Sequence, residues 1–276
     1  MILRKAHRKE AKIKMALQGV SGSGKTYSAL LLAKGLVGSL DKVCVIDTEN
    51  SSSDLYSHLG EFSVIPIDPP YTPEKYIQAI QIAEKEDMEV IIIDSLSHAW
   101  EYLIDYHSSL SGNSFTNWSK VTPRHNALIT TILGSKAHVI SCLRVKQDYV
   151  LSEKNGKMVP EKIGLKPIQR DGVDYEFTIV FELNYRHQVT ATKDRTGLFM
   201  GVPEFIITES TSKQIAMWCN ISVDIVQRIN SVKSLKELTD LYKLNTDPAS
   251  IELFTAKKAE LSKITSNPII IQNGKH

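Results

Sequence analysis

Gly19-Val20-Ser21-Gly22-Ser23-Gly24-Lys25-Thr26 is an uninterrupted G-x-x-x-x-G-K-T. Lys12–Gln18 before it reads as a short strand and Tyr27–Leu36 after it as a helix, the setting in which such a loop cradles phosphate. Its glycines let the backbone turn sharply and approach a ligand with no Cβ in the way, so that consecutive N–H groups face phosphate oxygens. The helix that follows adds its positive N-terminal end. In this arrangement Lys25 reaches the β- and γ-phosphates and the Thr26 hydroxyl sits on Mg²⁺. Gly19 through Thr26, with Tyr27 as the first residue of the helix, are therefore the expected contacts of a nucleoside triphosphate, taken to be ATP.

Outward from this stretch, residues 1–14 form a basic arm with Arg4, Lys5, Arg8, Lys9, Lys12 and Lys14 against Glu10. Beyond the loop, Lys42–Asp47 is apolar and β-branched and reads as a buried strand, and Phe62–Ile67 as another. Thr72-Pro73-Glu74 starts a helix, with Thr72 as cap and Pro73 in the first turn. Val90–Ser95 is a further buried strand with a carboxylate at its end. Residues 105–120, rich in Ser, Gly and Asn, read as a long loop, after which Thr122-Pro123 opens a helix that Gly134 stops. His138–Leu143 is the next strand. Strands alternating with helices at this spacing predict an α/β fold with a mainly parallel sheet covered on both faces.

The pattern changes at Arg144. From there to Arg170 seven Lys or Arg accompany three acidic residues, with an Asn155-Gly156 turn signal among them. Tyr175–Leu183 and Gln188–Lys193 read as an antiparallel hairpin added to the sheet, and Glu204–Thr208 as one more short strand. Helices follow over Ile221–Ile229, over Leu235–Leu244 after a Ser234 cap, and over Ala249–Ile264 after Asp247-Pro248. The expected organisation is an arm over 1–14, a core over 12–210, a helical region over 211–265 and a tail over 266–276.

Bulk properties bound this reading. A chain of 276 residues with a net charge of +2 does not declare a polyanionic partner by overall charge. Cys44, Cys142 and Cys219 show no metal spacing, and the first two lie in apolar strands, as buried reduced thiols do. No apolar run approaches the roughly eighteen residues of a membrane span, and no apolar stretch follows the basic N-terminus as in a secretory signal. A cytosolic protein is expected.

Phosphoryl transfer requires a metal, a group that orients water, and positive charge for the transition state. Asp94, at the end of an apolar strand, suits the metal beside Thr26, because ligands of parallel sheets bind at the carboxyl ends of the strands. Glu49 leaves the strand Lys42–Asp47 toward the same edge and suits the activation of water. Asp94 is followed by Ser95, so no glutamate stands next to the metal aspartate.

A phosphate loop, a strand ending Asp47-Thr48-Glu49 and a strand ending Asp94-Ser95 resemble the RecA/DnaB class of ATPases. In that class the glutamate after the earlier strand is catalytic. Thr192-Lys193-Asp194-Arg195-Thr196-Gly197 is similar to the Lys-x-Arg-x-Gly of hexameric RecA-like motors. The resemblance implies that Lys193 and Arg195 act in trans on the γ-phosphate held by a neighbouring subunit, and hence a homo-oligomer, ring or filament. The basic lead-in to Gly19–Leu32, the stretch Lys162–Phe177 and Lys193–Phe199 more closely resemble phage RecA-core ATPases of AAA type, some of them minimal single-strand annealing recombinases. That resemblance spans about residues 5–210. It implies ATP-dependent work on single-stranded DNA in phage recombination or replication, inside a bacterial host cell. At the end of the strand His138–Leu143 this chain has Cys142-Leu143 where RecA has the Asn-Gln that couples nucleotide to DNA, and Gln147 stands nearby as a substitute.

In the RecA arrangement the loops after the strands of Asp94 and Leu143 line the oligomer axis. Here these hold Phe115, Trp118 and Lys120, and Arg144, Lys146, Lys154, Lys157, Lys162, Lys166 and Arg170. Aromatics beside cations suit a sequence-tolerant single-strand binder. Two other readings remain at this point, a translocase or helicase-type motor and an ATP-gated assembly module with little hydrolysis; the C-terminal helices are a candidate site for a partner such as a single-strand-binding protein. A GTPase is disfavoured, because Thr192-Lys193-Asp194 places its aspartate one position too early for a base-reading motif.

Overall fold

The computed structural model describes residues 11–154, 157–220, 223–244 and 250–266. Arg4, Lys5, Arg8, Lys9 and Glu10 of the arm, the Asn155-Gly156 turn, Ile221, Asp247-Pro248-Ala249 and the tail after Ser266 lie outside the described residues, as do the side chains of Lys154, Lys157 and Lys162. Lys12–Ala216 forms one compact unit, and the helices from Met217 onward belong to a second.

The first unit is built on strands β1 (Lys14–Gly19), β2 (Val43–Asp47), β3 (Ser63–Pro66), β4 (Val90–Asp94), β5 (His138–Lys154), β6 (Lys157–Pro167), β7 (Ile179–Leu183) and β8 (Val189–Asp194). They run in the order β3-β2-β4-β5-β1-β7-β8, with β6 paired to β5 alone. From β3 to β7 every neighbouring pair is parallel, and β8 returns antiparallel on β7. All residues of β1, β2 and β4 are buried, as parallel strands covered on both faces must be. Helix α1 (Lys25–Val37) packs on one face of β1, β4 and β5. On the other face, α2 (Pro73–Lys85), α3 (Ser97–Ser109) and α4 (Ser114–Gly134) enclose a core that includes Tyr76, Ile80, Ile91, Ile93, Leu128 and Val139. The expected α/β architecture is thus observed, including the added hairpin and the Thr72 cap, whose Oγ1 accepts from Lys75 N at 3.4 Å.

Four expectations are corrected. Residues 105–120 are not a loop: α3 and α4 leave only 110–113 between them. The polar composition misleads because the hydroxyls bond back to carbonyls of the preceding turn, Ser108 to Ile104 and Thr116 to Asn113, while Asn113 caps α4 by accepting from Phe115 N at 2.8 Å. Pro123 therefore does not open a helix but lies inside α4. It can donate no N–H to the turn before it, yet Val121, His125 and Leu128 bury the same face on either side of it and carry the helix through. Residues 144–170 are likewise not a loop, because β5 runs on past the sheet and pairs with β6 as a two-stranded ribbon with an irregularity at Asp148/Tyr149. Lastly, Glu204–Thr208 forms no strand. One bridge, Val189 to Phe205, is made there, anchored by Phe205 against Phe181 and Phe199.

Glycine at position 35 decides how α5 (Glu209–Asn220) seats on α1. A Cβ there would meet Ser212 Oγ at 1.9 Å and Glu209 O at 2.5 Å. The approach is held by Ser212 Oγ donating to Leu31 O at 3.3 Å and by a Lys34–Glu209 ion pair at 3.0 Å. Sequence periodicity did not mark α5. In the second unit, α6 (Val223–Ser231), α7 (Leu235–Leu244) and α8 (Ile251–Ser266) share a small core of Ile225, Ile229, Leu238, Leu241, Phe254 and Leu261. Ser234 caps α7 as expected, accepting from Glu237 N at 3.2 Å. Among the described residues no helix is long and apolar enough to cross a membrane, and Cys44, Cys142 and Cys219 are buried and outside any disulfide.

At the opposite end of the sheet from the phosphate loop, Lys14 is buried with its ammonium on Ser135 O (2.8 Å) and Ala137 O (2.5 Å), and burial pulls its pKa down to about 8. Beside it His138 is buried and accepts Ile13 N on Nδ1 at 3.0 Å. Burial, with the charges of Lys12 and Lys14, lowers its pKa to about 3. The unfolded chain then binds a proton at this histidine between about pH 6.5 and 3 that the folded chain refuses, so stability falls as pH drops through that window. From pH 6.5 to 5 this single group is expected to cost about 2 kcal/mol. Denaturant unfolding at the two pH values checks it: His138→Asn keeps an acceptor at that position and should flatten the slope, whereas an unchanged slope assigns the loss to other groups.

Candidate active site

The phosphate loop leaves β1 at Gly19 and enters α1 at Lys25, with Gly22 and Gly24 at φ 77° and 86°. These are left-handed conformations that a side chain resists. Gly24 also has a neighbour that fills the space a Cβ would take: His187 Nδ1 stands 3.0 Å from that position and 3.1 Å from Ser23 O. His187 lies in the turn between β7 and β8, so the hairpin predicted from sequence closes onto the loop. Ser23 Oγ is buried with no hydrogen-bond partner among the described residues. Lys25 folds back over the loop, its ammonium donating to Gly19 O and Val20 O, both at 3.0 Å.

Because β1 and β4 both end at this edge, Thr26 and Asp94 meet. The Thr26 hydroxyl donates to Asp94 Oδ2 at 2.6 Å. Asp94 is buried, and desolvation raises its pKa against the opposing effect of the Thr26 bond. A hydroxyl and a carboxylate oxygen side by side are hard donors of the kind Mg²⁺ takes, so this pair fits the ion.

Glu49 is presented by a turn built on Asp47. The Asp47 carboxylate accepts Glu49 N (2.7 Å) on one oxygen, and Ser53 N (3.0 Å) and Ser53 Oγ (2.5 Å) on the other. This fixes the path through Asn50 and Ser51, both at positive φ. Thr48 locks the same turn to β4: its N–H donates to Asp94 O (2.8 Å), and its hydroxyl accepts Ser95 N (2.8 Å) and lies 2.7 Å from His98 Nδ1. His98 stacks on Tyr71, and its pKa is lowered by burial and then by the charge of Arg144. Glu49 therefore opens into the cleft of about 590 Å³ that Gly22, Gly24, Lys25 and Thr26 also line. Tyr56, from the short 3-10 segment Ser52–Leu59, closes one wall and packs on Tyr27 at 5.9 Å between centroids. The Asp94–Ser95 peptide is cis.

Arg144 occupies a place that sequence reasoning did not give it. It reaches across the cleft and pairs with Glu49 in a two-pronged bond, Nε to Oε1 and Nη2 to Oε2, each 3.0 Å. His187 and the orienting role of Asp47 were also missed. The short connection 184–188 between the hairpin strands and a strand-end aspartate two places before the glutamate were the signals available.

Lys193 and Arg195 do not line this cleft. Both sit at the end of β8 and donate to backbone carbonyls, Lys193 Nζ to Asp174 O (2.8 Å) and Tyr175 O (2.5 Å), Arg195 Nη2 to Tyr175 O (2.8 Å). The residues singled out for nucleic acid divide. Trp118, Lys146, Lys166 and Arg170 share a second cleft of about 510 Å³ with Trp100, whose ring stacks on Trp118 at 6.1 Å. Gln169 ties that cleft together, its Oε1 taking Arg170 N at 2.8 Å and lying 3.1 Å from His125 Nε2. Phe115, 86% exposed, and Lys120 stand on the first turns of α4, outside it. Gln147 is engaged within the ribbon, donating to Gly164 O at 2.5 Å.

The loop geometry, the strand-end carboxylates and the sheet order describe a P-loop nucleotide site. No characterised protein gave a match to the chain. A family profile described as an AAA domain matches residues 11–216, which span both clefts and the whole sheet. The chain belongs to the AAA-domain family and is a P-loop protein that binds and hydrolyses ATP.

Proposed function

We propose that this protein is a Mg²⁺-dependent ATPase of RecA-like type that assembles on single-stranded DNA and serves phage recombination, annealing or replication. Thr26 and Asp94 are the residues that would hold Mg²⁺, which would neutralise charge on the β- and γ-phosphates. Lys25 binds the same phosphates. Glu49 accepts a proton from water as the water oxygen bonds to the γ-phosphorus and the bond to the β–γ bridging oxygen breaks, leaving ADP and phosphate. Lys193 and Arg195 add positive charge from a neighbouring subunit, a role in keeping with their not lining their own P-loop cleft.

The observation that carries the DNA reading is the second cleft, in which two indoles stand beside Lys146, Lys166 and Arg170. Stacking surfaces next to cations favour a flexible polyanion with exposed bases, read without sequence preference. A thymidine oligonucleotide is expected to bind at low salt and to raise ATP turnover, and the double variant Trp118→Ala/Lys166→Ala should weaken binding at least tenfold. Fluorescence anisotropy over a salt series measures it. An oligonucleotide that neither binds nor changes the ATPase rate removes the DNA reading. Unwinding of a duplex, in place of annealing of complementary strands, turns the assignment toward a motor.

A further inference from the structure

The β7–β8 hairpin reaches the phosphate loop through its turn. β7 runs parallel to β1 and pairs Leu183 with Gly19, the residue from which the loop departs. The turn that follows is held by Asn184. Its Oδ1 accepts Arg186 N (2.8 Å) and Gln188 N (3.1 Å), its carbonyl accepts His187 N (3.0 Å), and its own N–H donates to Gln188 O (3.0 Å). His187 sits in this turn at φ 62°, a left-handed conformation that a β-carbon resists. The bonds to Asn184 offset that cost and bring the ring onto the loop.

What the ring touches is loop backbone. His187 Nδ1 lies 3.1 Å from Ser23 O, and a carbonyl oxygen only accepts, so Nδ1 carries the hydrogen and donates it. The peptide joining Ser23 to Gly24 is trans, and in a trans peptide the C=O and the following N–H point in opposite directions. A donor fixed on Ser23 O therefore turns the Gly24 N–H away from His187. That N–H has no partner among the described residues and stands at the N-terminal end of α1, where unpaired N–H groups favour an anion. Glycine by itself does not hold a peptide plane in place. Lys25 restrains the loop at Gly19 O and Val20 O, and His187 restrains it at Ser23 O.

We infer that His187 is a positioning residue for nucleotide binding, which holds the Ser23–Gly24 peptide with the Gly24 N–H turned toward the β-phosphate. Affinity is then set by the hairpin turn as well as by the loop, for ADP and ATP alike, since both carry the phosphate that the loop cradles. The inference rests on nucleotide binding at this loop and on neither Glu49 nor DNA.

The test measures binding of ADP and of a non-hydrolysable ATP analogue by isothermal titration, and KM and kcat for ATP, in wild type, His187→Gly and His187→Asn, with thermal melting to verify folding. Glycine takes the left-handed conformation without strain and removes the ring. Asparagine also tolerates it and places an amide nitrogen near the position of Nδ1. His187→Gly is expected to bind both nucleotides about fivefold more weakly, the factor one net hydrogen bond supplies, with KM raised alike and kcat within about twofold, as loss of uniform binding requires. His187→Asn should recover most of the lost affinity. Unchanged affinity in a folded His187→Gly overturns the inference. So does a loss confined to the ATP analogue, which would make His187 a γ-phosphate contact, or a lower kcat at unchanged KM, which would place it in the chemical step. An asparagine variant as weak as the glycine one assigns the effect to the bulk of the ring and overturns the hydrogen bond. If His187→Gly does not fold, nitrogen NMR of the wild type decides, the signal being assigned by its absence from the His187→Asn spectrum. Hydrogen on Nδ1 supports the inference, and hydrogen on Nε2 alone overturns it.

Discussion

Glu49→Gln is expected to lower ATP turnover about a thousandfold while leaving nucleotide affinity within about twofold, the loss typical of a general base whose size is preserved. The substitution is conservative where the structure is concerned. The turn that presents residue 49 is held by Asp47, Ser53 and Thr48 through backbone bonds that do not involve the Glu49 side chain, and a glutamine oxygen still accepts from Arg144. What disappears is the ability to take a proton. Isothermal titration with a non-hydrolysable ATP analogue and steady-state phosphate release separate the two effects. Turnover within threefold of wild type would assign the base elsewhere, and a matching loss of affinity would make residue 49 a binding group.

Arg195→Ala should cost a similar factor, about a thousandfold, as removal of an arginine finger does, but for a different reason and with a different signature. Arg195 is exposed at the end of β8 and bonds the carbonyl of Tyr175, and neither it nor Lys193 lines the cleft of its own P-loop. If the guanidinium acts on a neighbour, Arg195→Ala and Lys25→Ala subunits are each inactive alone, yet a mixture contains interfaces with an intact Lys25 on one side and an intact Arg195 on the other. Those interfaces should restore activity in proportion to their number. Absence of rescue in every mixture, with light scattering showing that the two variants assemble together, would exclude action in trans.

The parts of this protein that were legible in its sequence are those whose meaning is local. Gly19–Thr26 specifies a turn by backbone conformation, and Val43–Asp47 and Val90–Asp94 declare buried parallel strands by unbroken apolar character. Once those strands are parallel, their terminal carboxylates share an edge, which is why Asp94 and Glu49 could be set beside the loop before any geometry was known. The rest depended on contacts across the chain. His187 meets Ser23 from 164 residues away, and Arg144 meets Glu49 from 95; neither residue type in its local setting announces its partner. Composition misled at 105–120, where serine and asparagine serve as caps and back-bonding groups instead of marking a loop. It misled again after Leu143, where lysines spaced along a ribbon read as an irregular basic segment.

The margins of the sheet bear on whether its edges can recruit a further strand. At one margin β3 has four residues and ends in Pro66, which has no N–H to offer. At the other, the chain after β8 folds back along it: Asp194 accepts Thr196 N and Phe199 N, and Val189 and Phe205 exchange both backbone bonds. A short strand ending in proline at one margin and the bridge at Val189 at the other shorten the row of open donors and acceptors that would recruit a further strand. A chain cut between β8 and Phe205 would lose the bridge at Val189 and lengthen the open edge of β8.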